Sequence, residues 1–158
     1  MVTRPTGDPG YPQDTVFQVD VSVRGYETDA QGHLHQSVYL QYAEHARWSL
    51  LRAAGIRQQD LLSRRVGPVV LETTIRYRRE LRAGDEVRVT CCFAWGAGRT
   101  FGTHQRILTA DGTVACELDS LGGLMDLDHR RLLPDPRSRF AELARTPALL
   151  GITAPTTP

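Results

Sequence analysis

One stretch constrains the fold more than any other. From Ser37 to Ala54, Tyr39, Tyr42, Ala43, Ala46, Leu50 and Ala53 recur at three- and four-residue steps and make one apolar stripe. Gln41, Glu44, His45 and Arg52 lie mainly away from it, and Gly55 follows directly, as a residue just past a helix end should. The spacing predicts a helix of about five turns. Such a helix needs a broad apolar partner, and the rest of the chain offers strands.

Thr15–Val23 alternates, with Phe17, Val19, Val21 and Val23 on one face. Arg24–Gln36 breaks that period and carries two glycines, so it reads as a loop. A shorter helix is expected at about Gln58–Arg64. Four strands follow: Pro68–Arg79 (Val69, Leu71, Thr73, Ile75 and Tyr77 on one face), Asp85–Trp95, Arg99–Leu108 and Thr113–Asp126. Ala110-Asp111-Gly112 is a hairpin turn, and Arg137–Ala144 a short terminal helix. The expected class is α+β, one helix on an antiparallel meander. Residues 15–145 would form one domain, between a flexible Pro- and Gly-punctuated arm (1–14) and a frayed tail (146–158). One helix leaves sheet edges open, so homo-oligomerisation is expected.

Charge narrows the chemistry. The 19 basic residues are all arginine and nearly cancel 18 acidic ones, leaving +1. No large positive field exists to drive nucleic-acid or anionic-membrane binding, and neither partner is expected. The absence of lysine excludes Schiff-base and Walker-type lysine chemistry. Cys91, Cys92 and Cys116 are odd in number, with two adjacent, which favours a reducing, cytoplasmic setting. The polar N-terminus lacks the apolar run of a secretory signal. His33 and His35 have no third ligand at zinc-like spacing, and no metal site is expected.

The informative segment is Tyr26–Arg47. Asp29-Ala30-Gln31-Gly32-His33 leads to Tyr39-Leu40-Gln41-Tyr42-Ala43-Glu44-His45-Ala46-Arg47. Later come Arg79-Glu80-Leu81-Arg82-Ala83-Gly84-Asp85-Glu86-Val87, Asp111-Gly112 and Leu133-Pro134. In this order the motifs resemble the 4-hydroxybenzoyl-CoA thioesterase branch of the hotdog-fold acyl thioesterases, over about Phe17–Pro136. Glu80 stands where that family usually has proline. The resemblance implies a long central helix wrapped by an antiparallel sheet, a cleft between the subunits of a homodimer or homotetramer, and hydrolysis of acyl-CoA or acyl-carrier-protein thioesters without a cofactor.

The same segment has suitable chemistry of its own. Asp29 could attack a thioester carbonyl or act as general base to water; equally, it could be only a turn residue. The first amides of the helix, at Gln36 and Ser37, have no intrahelical acceptor and could stabilise an oxyanion. By resemblance, the Gln36 amide polarises the carbonyl. Gly32 is expected to allow close approach of backbone and substrate, and His35 to position water or Asp29. Glu44 is a helix carboxylate of the kind other hotdog thioesterases use, or one paired with Arg47 or Arg52. Thr73 lies on the strand that, by resemblance, lines the neighbouring subunit's cleft. Arg76, Arg78, Arg79 and Arg82 could hold coenzyme A or phosphopantetheine phosphates. The alternatives are a carrier-protein thioesterase releasing a polyketide or fatty acyl chain, and a non-catalytic acyl-binding module.

Overall fold

The computed structural model describes residues 16–153; the expected arm at 1–14 lies outside them. β1 (Phe17–Ser22) leads through a loop into α1 (Gln36–Ala53) and α2 (Gln58–Ser63). β2 (Val66–Tyr77), β3 (Glu86–Trp95), β4 (Thr100–Thr109), β5 (Val114–Asp126) and β6 (Arg131–Leu132) follow, and then α3 (Pro136–Leu143). The strands form one antiparallel sheet in the order β1-β3-β4-β5-β2, with β6 paired to β5. α1 packs on β1 and β3, giving the helix-in-sheet arrangement of a hotdog fold. Among the described residues no helix is long and apolar enough to cross a membrane.

The helix buries Val38, Tyr39, Tyr42, Ala43, Ala46, Leu50 and Leu51, so its stripe is broader than the spacing predicts. Ala53 is exposed; the buried alanine is Ala54, in the turn closed by Gly55 at φ 89°. Opposite lie Val87, Val89 and Cys91 of β3, Ile107 of β4 and Leu118 of β5. Each leucine buried completely in this core contributes roughly 1.5–3 kcal/mol.

Three expectations are corrected. β2 does not join a four-strand meander: it pairs with β5, at the far edge from β3. The link from Arg78 to Asp85 is anchored in the core. Its Leu81 is fully buried, and the Leu81 carbonyl takes the Leu34 amide at 2.7 Å, so this segment is pinned near the start of α1. Within β2 the register shifts between Val70 and Glu72, and Leu71 leaves the face shared by Thr73, Ile75 and Tyr77. Val70 and Leu71 are about half exposed in consequence. Finally, residues 146–153 do not fray. Pro147–Leu150 forms a 3-10 turn, Leu150 is fully buried, and Trp95 Nε1 donates to the Leu150 carbonyl at 2.6 Å.

Candidate active site

The loop before α1 is closed by its own backbone. The Asp29 amide donates to the His33 carbonyl at 2.8 Å, and the Gly32 amide to the Asp29 carbonyl at 3.0 Å. Gly32 has φ +78°, which L side chains rarely adopt, and nothing lies within 4 Å of where its Cβ would stand. Its role here is the turn. At the base of the loop the His35 amide donates to the Glu27 carbonyl at 2.8 Å. Glu27 is itself held by the Tyr42 hydroxyl at 2.5 Å and the Arg24 amide at 2.9 Å. Burial pushes the Glu27 carboxyl up, but these hydrogen bonds outweigh it and leave the group below its ordinary range.

Asp29 is exposed, and one oxygen of its carboxylate holds the turn. Oδ1 accepts the Gln31 amide at 2.8 Å and the His33 amide at 3.3 Å, the geometry of an Asx turn. Oδ2 has no partner among the described residues. The Gln31 amide, seconded by that of His33, holds the carboxyl below the usual aspartate range.

At the start of α1 the two candidate amides differ. The Ser37 amide is taken by His35 Nδ1 at 3.2 Å, and the same ring nitrogen lies 2.8 Å from Ser37 Oγ. His35 is therefore the N-cap of α1, with the ring proton assigned to Nε2, and no hydrogen bond joins it to Asp29. The Gln36 amide has no acceptor among the described residues, and it stands at the positive end of the helix. The Tyr77 hydroxyl donates to the Gln36 carbonyl at 3.1 Å, tying this end of α1 to β2.

Two further contacts are invisible to periodicity. His33 Nε2 lies 2.8 Å from Glu80, which also pairs with Arg82 at 2.8 Å. The departure of Glu80 from the family's proline was the only sequence signal for this tie. Tyr77 had no signal beyond its place on a strand face.

The remaining candidates spread along the fold. Thr73 Oγ1 is 2.9 Å from Ser120 Oγ, on the helix side of β2. Glu44 lies further along α1 and forms no ion pair with Arg47 or Arg52. Arg76 pairs with Asp119 at 2.8 Å and Arg78 with Glu117 at 2.9 Å. Both alternate with Tyr77 along β2, so they sit on the sheet face away from α1. Arg79 alone of the four arginines has no carboxylate partner among the described residues. No group of three His, Cys, Asp or Glu among the described residues is placed to hold a metal.

Two cavities among the described residues bear on the site. One of about 310 Å³, lined by Arg65, Asp126, Asp128 and His129 among others, contains none of the site candidates, and its charges pair internally (Arg65–Asp128, His129–Asp126). The other, about 160 Å³, lies between α1 and the sheet and is lined by Glu44, Trp48, Val69, Phe101 and Ser120, among others.

Residues 23–147 match the model of the thioesterase-like superfamily. The chain is 30% identical over 130 residues to the acyl-CoA thioester hydrolase YbgC of Escherichia coli O6:H1, covering 81% of this chain and 96% of that protein. It is 25% identical over 131 residues to the chloroplastic acyl-acyl carrier protein thioesterase ATL3 of Arabidopsis thaliana, covering 81% and 69%. In structure it resembles Slr0204, a 1,4-dihydroxy-2-naphthoyl-CoA thioesterase from Synechocystis (TM-score 0.72, 18% identity, 81% and 95% covered), a likeness of fold. It also resembles the hypothetical protein TT1821 from Thermus thermophilus (TM-score 0.72, 26% identity, 84% and 98% covered). The chain belongs to the thioesterase-like superfamily, as an enzyme of the hotdog fold.

Proposed function

We propose that the protein hydrolyses an acyl-thioester of coenzyme A, with Asp29 as the attacking group and the Gln36 amide as oxyanion donor. One observation carries this reading: a carboxylate with a free oxygen and a free helix-terminal amide flank a six-residue loop closed by hydrogen bonds at both ends. The carboxylate attacks the thioester carbon, and the Gln36 N–H bears the developing negative charge. The thiolate departs and takes a proton from water, leaving an acyl–Asp29 anhydride. Water then adds to the anhydride, frees the carboxylic acid and restores Asp29. A carboxyl held below its usual range is fully ionised at neutral pH, as direct attack on the carbonyl requires.

On this reading His35 caps the helix and does not handle the attacking water. Thr73 and Glu44 line the path of the acyl group along the seam between α1 and β2. Arg79 is the arginine left to meet a carrier phosphate. The cleft is completed by a second copy, because the edge strand β2 exposes Val70, Leu71 and Tyr77, each about half, beside the half-exposed Leu40 of α1. Likeness to a carrier-protein thioesterase supports a second reading, release of a fatty or polyketide chain from acyl carrier protein.

Free thiol released from acyl-CoAs and from matched acyl-carrier proteins tests both. Release of coenzyme A supports the first, and faster release from the carrier protein supports the second. Thioester binding with no thiol from either would leave a non-catalytic acyl-binding module.

A further inference from the structure

The 160 Å³ cavity holds a group that the proposed chemistry does not use. Thr103 of β4 lines it and is only 2% exposed, and Thr103 Oγ1 has no hydrogen-bond partner. Buried hydroxyls are nearly always paired, so this one is open to a water or to an oxygen of a bound ligand. The neighbouring hydroxyl does not serve. Ser120, which faces Thr103 across β4 and β5, already bonds to Thr73 at 2.9 Å. Glu44 and Arg47 also line the cavity, yet neither forms an ion pair among the described residues. The rest of the wall is apolar and aromatic, with Trp48 and Phe101 prominent. A dry cavity of roughly 150 Å³ accepts a benzene-sized group, so the space suits the end of an acyl chain.

The polar groups discriminate between possible ends. An unsubstituted alkyl end would leave the Thr103 hydroxyl unpaired. A carboxylate end would gain Arg47 but meet the like charge of Glu44 in the same wall. A neutral oxygen suits all three: it accepts from Thr103 or Arg47, and a hydroxyl can also donate to Glu44.

Position sets where on the substrate that oxygen stands. Gln36, Leu40, Glu44 and Trp48 succeed one another at four-residue steps on one face of α1. β2 runs beside them, with Tyr77 bonded at Gln36 and Val69 lining the cavity near Trp48. At 1.5 Å per residue, Glu44 lies about 12 Å along the axis from Gln36. An extended acyl chain spans that distance.

We propose that the substrate is an extended acyl chain bearing a hydroxyl or keto oxygen near its far end, and that Thr103 is the residue that reads this oxygen. The inference rests on the thioesterase reading above for the placement of the carbonyl at Gln36.

Two non-hydrolysable coenzyme A thioethers, decyl and ω-hydroxydecyl, test it by calorimetric binding to the full chain. The hydroxylated ligand should bind at least about tenfold more tightly. Thr103→Val should abolish the difference while leaving decyl binding unchanged or tighter, and Thr103→Ser should retain it. Equal affinities on the wild-type protein would overturn the proposal, whether or not the valine variant folds. So would a preference that survives in folded Thr103→Val. Thiol release from ω-hydroxydecanoyl-CoA separates the two readings. No release despite the binding preference would defeat the hydrolase assignment alone, whereas hydrolysis with no preference in binding would defeat the pocket assignment alone.

Discussion

His33 Nε2 stands 2.8 Å from Glu80 Oε2, so the loop that carries Asp29 is held to the β2–β3 link by side chains as well as by the Leu34–Leu81 backbone bond. The His33 amide also reaches Asp29 Oδ1. Displacing the ring would therefore be felt at the carboxylate. The pair is partly exposed, and exposed ion pairs add at most about 1 kcal/mol to stability. Glu80→Ala should leave the denaturation midpoint nearly unchanged and lower kcat by up to about tenfold, because small misplacements of a reacting group are costly. Steady-state kinetics beside a urea melt would check this. Unchanged kcat would show that the backbone bonds alone fix the loop.

The pH profile should distinguish Asp29 from the nearby imidazoles. Hydrogen bonds from the Gln31 and His33 amides lower the Asp29 pKa in the folded chain. The ionised form is therefore present at neutral pH and persists below the ordinary aspartate value of about 3.9. The sign for stability is the same: the stabilisation is present above the unfolded pKa and is lost as pH falls through the lower folded one. The kcat/KM profile should stay flat down to about pH 5, until other carboxyls titrate. An acid limb well above pH 5 would point to a group other than Asp29.

The open edge gives a third expectation. Val70 and Leu71 lie at a bulge on the edge strand β2 and are both about half exposed. Leu71→Arg should shift the protein toward monomer in sedimentation and reduce activity in step, with the far-ultraviolet spectrum preserved. Full activity from a monomer would mean that one chain completes the cleft.

The C-terminal segment should be structural. Leu150 is fully buried and its carbonyl receives the Trp95 indole. Leu150→Ala should cost about 2–5 kcal/mol in chemical denaturation, the range for a large-to-small change in a packed core. A loss below about 0.5 kcal/mol would return this segment to the status of a tail.

That segment also shows where sequence reading stops. In Thr146–Thr153 the apolar residues Leu149, Leu150 and Ile152 lie among proline and glycine without a period, so nothing local marks Leu150 as buried. α1 and the strands were legible because burial repeats along them at steps of 3.6 and 2. The bulge at Leu71 was not, since one inserted residue inverts an alternation that the sequence carries on unbroken. Nor was the pairing of β2 with β5, which depends on where Leu81 is buried rather than on neighbouring residues. At the site, Asp29 and Gln36 could be read from a loop that runs into a helix start. The division of labour between the Gln36 and Ser37 amides could not, because it turns on the rotamer of His35. Tyr77 and Thr103 act across the sheet–helix seam and leave no mark in local spacing.

The central claim is that the free oxygen of Asp29 opens the thioester beside the Gln36 amide. Free-thiol release from an acyl-CoA by the wild-type protein and by Asp29→Asn, with coenzyme A binding measured on both, tests it most directly. The account predicts that the variant binds normally and loses activity by a factor of about 10² to 10⁴. An Asp29→Asn protein that turned over at the wild-type rate would contradict it.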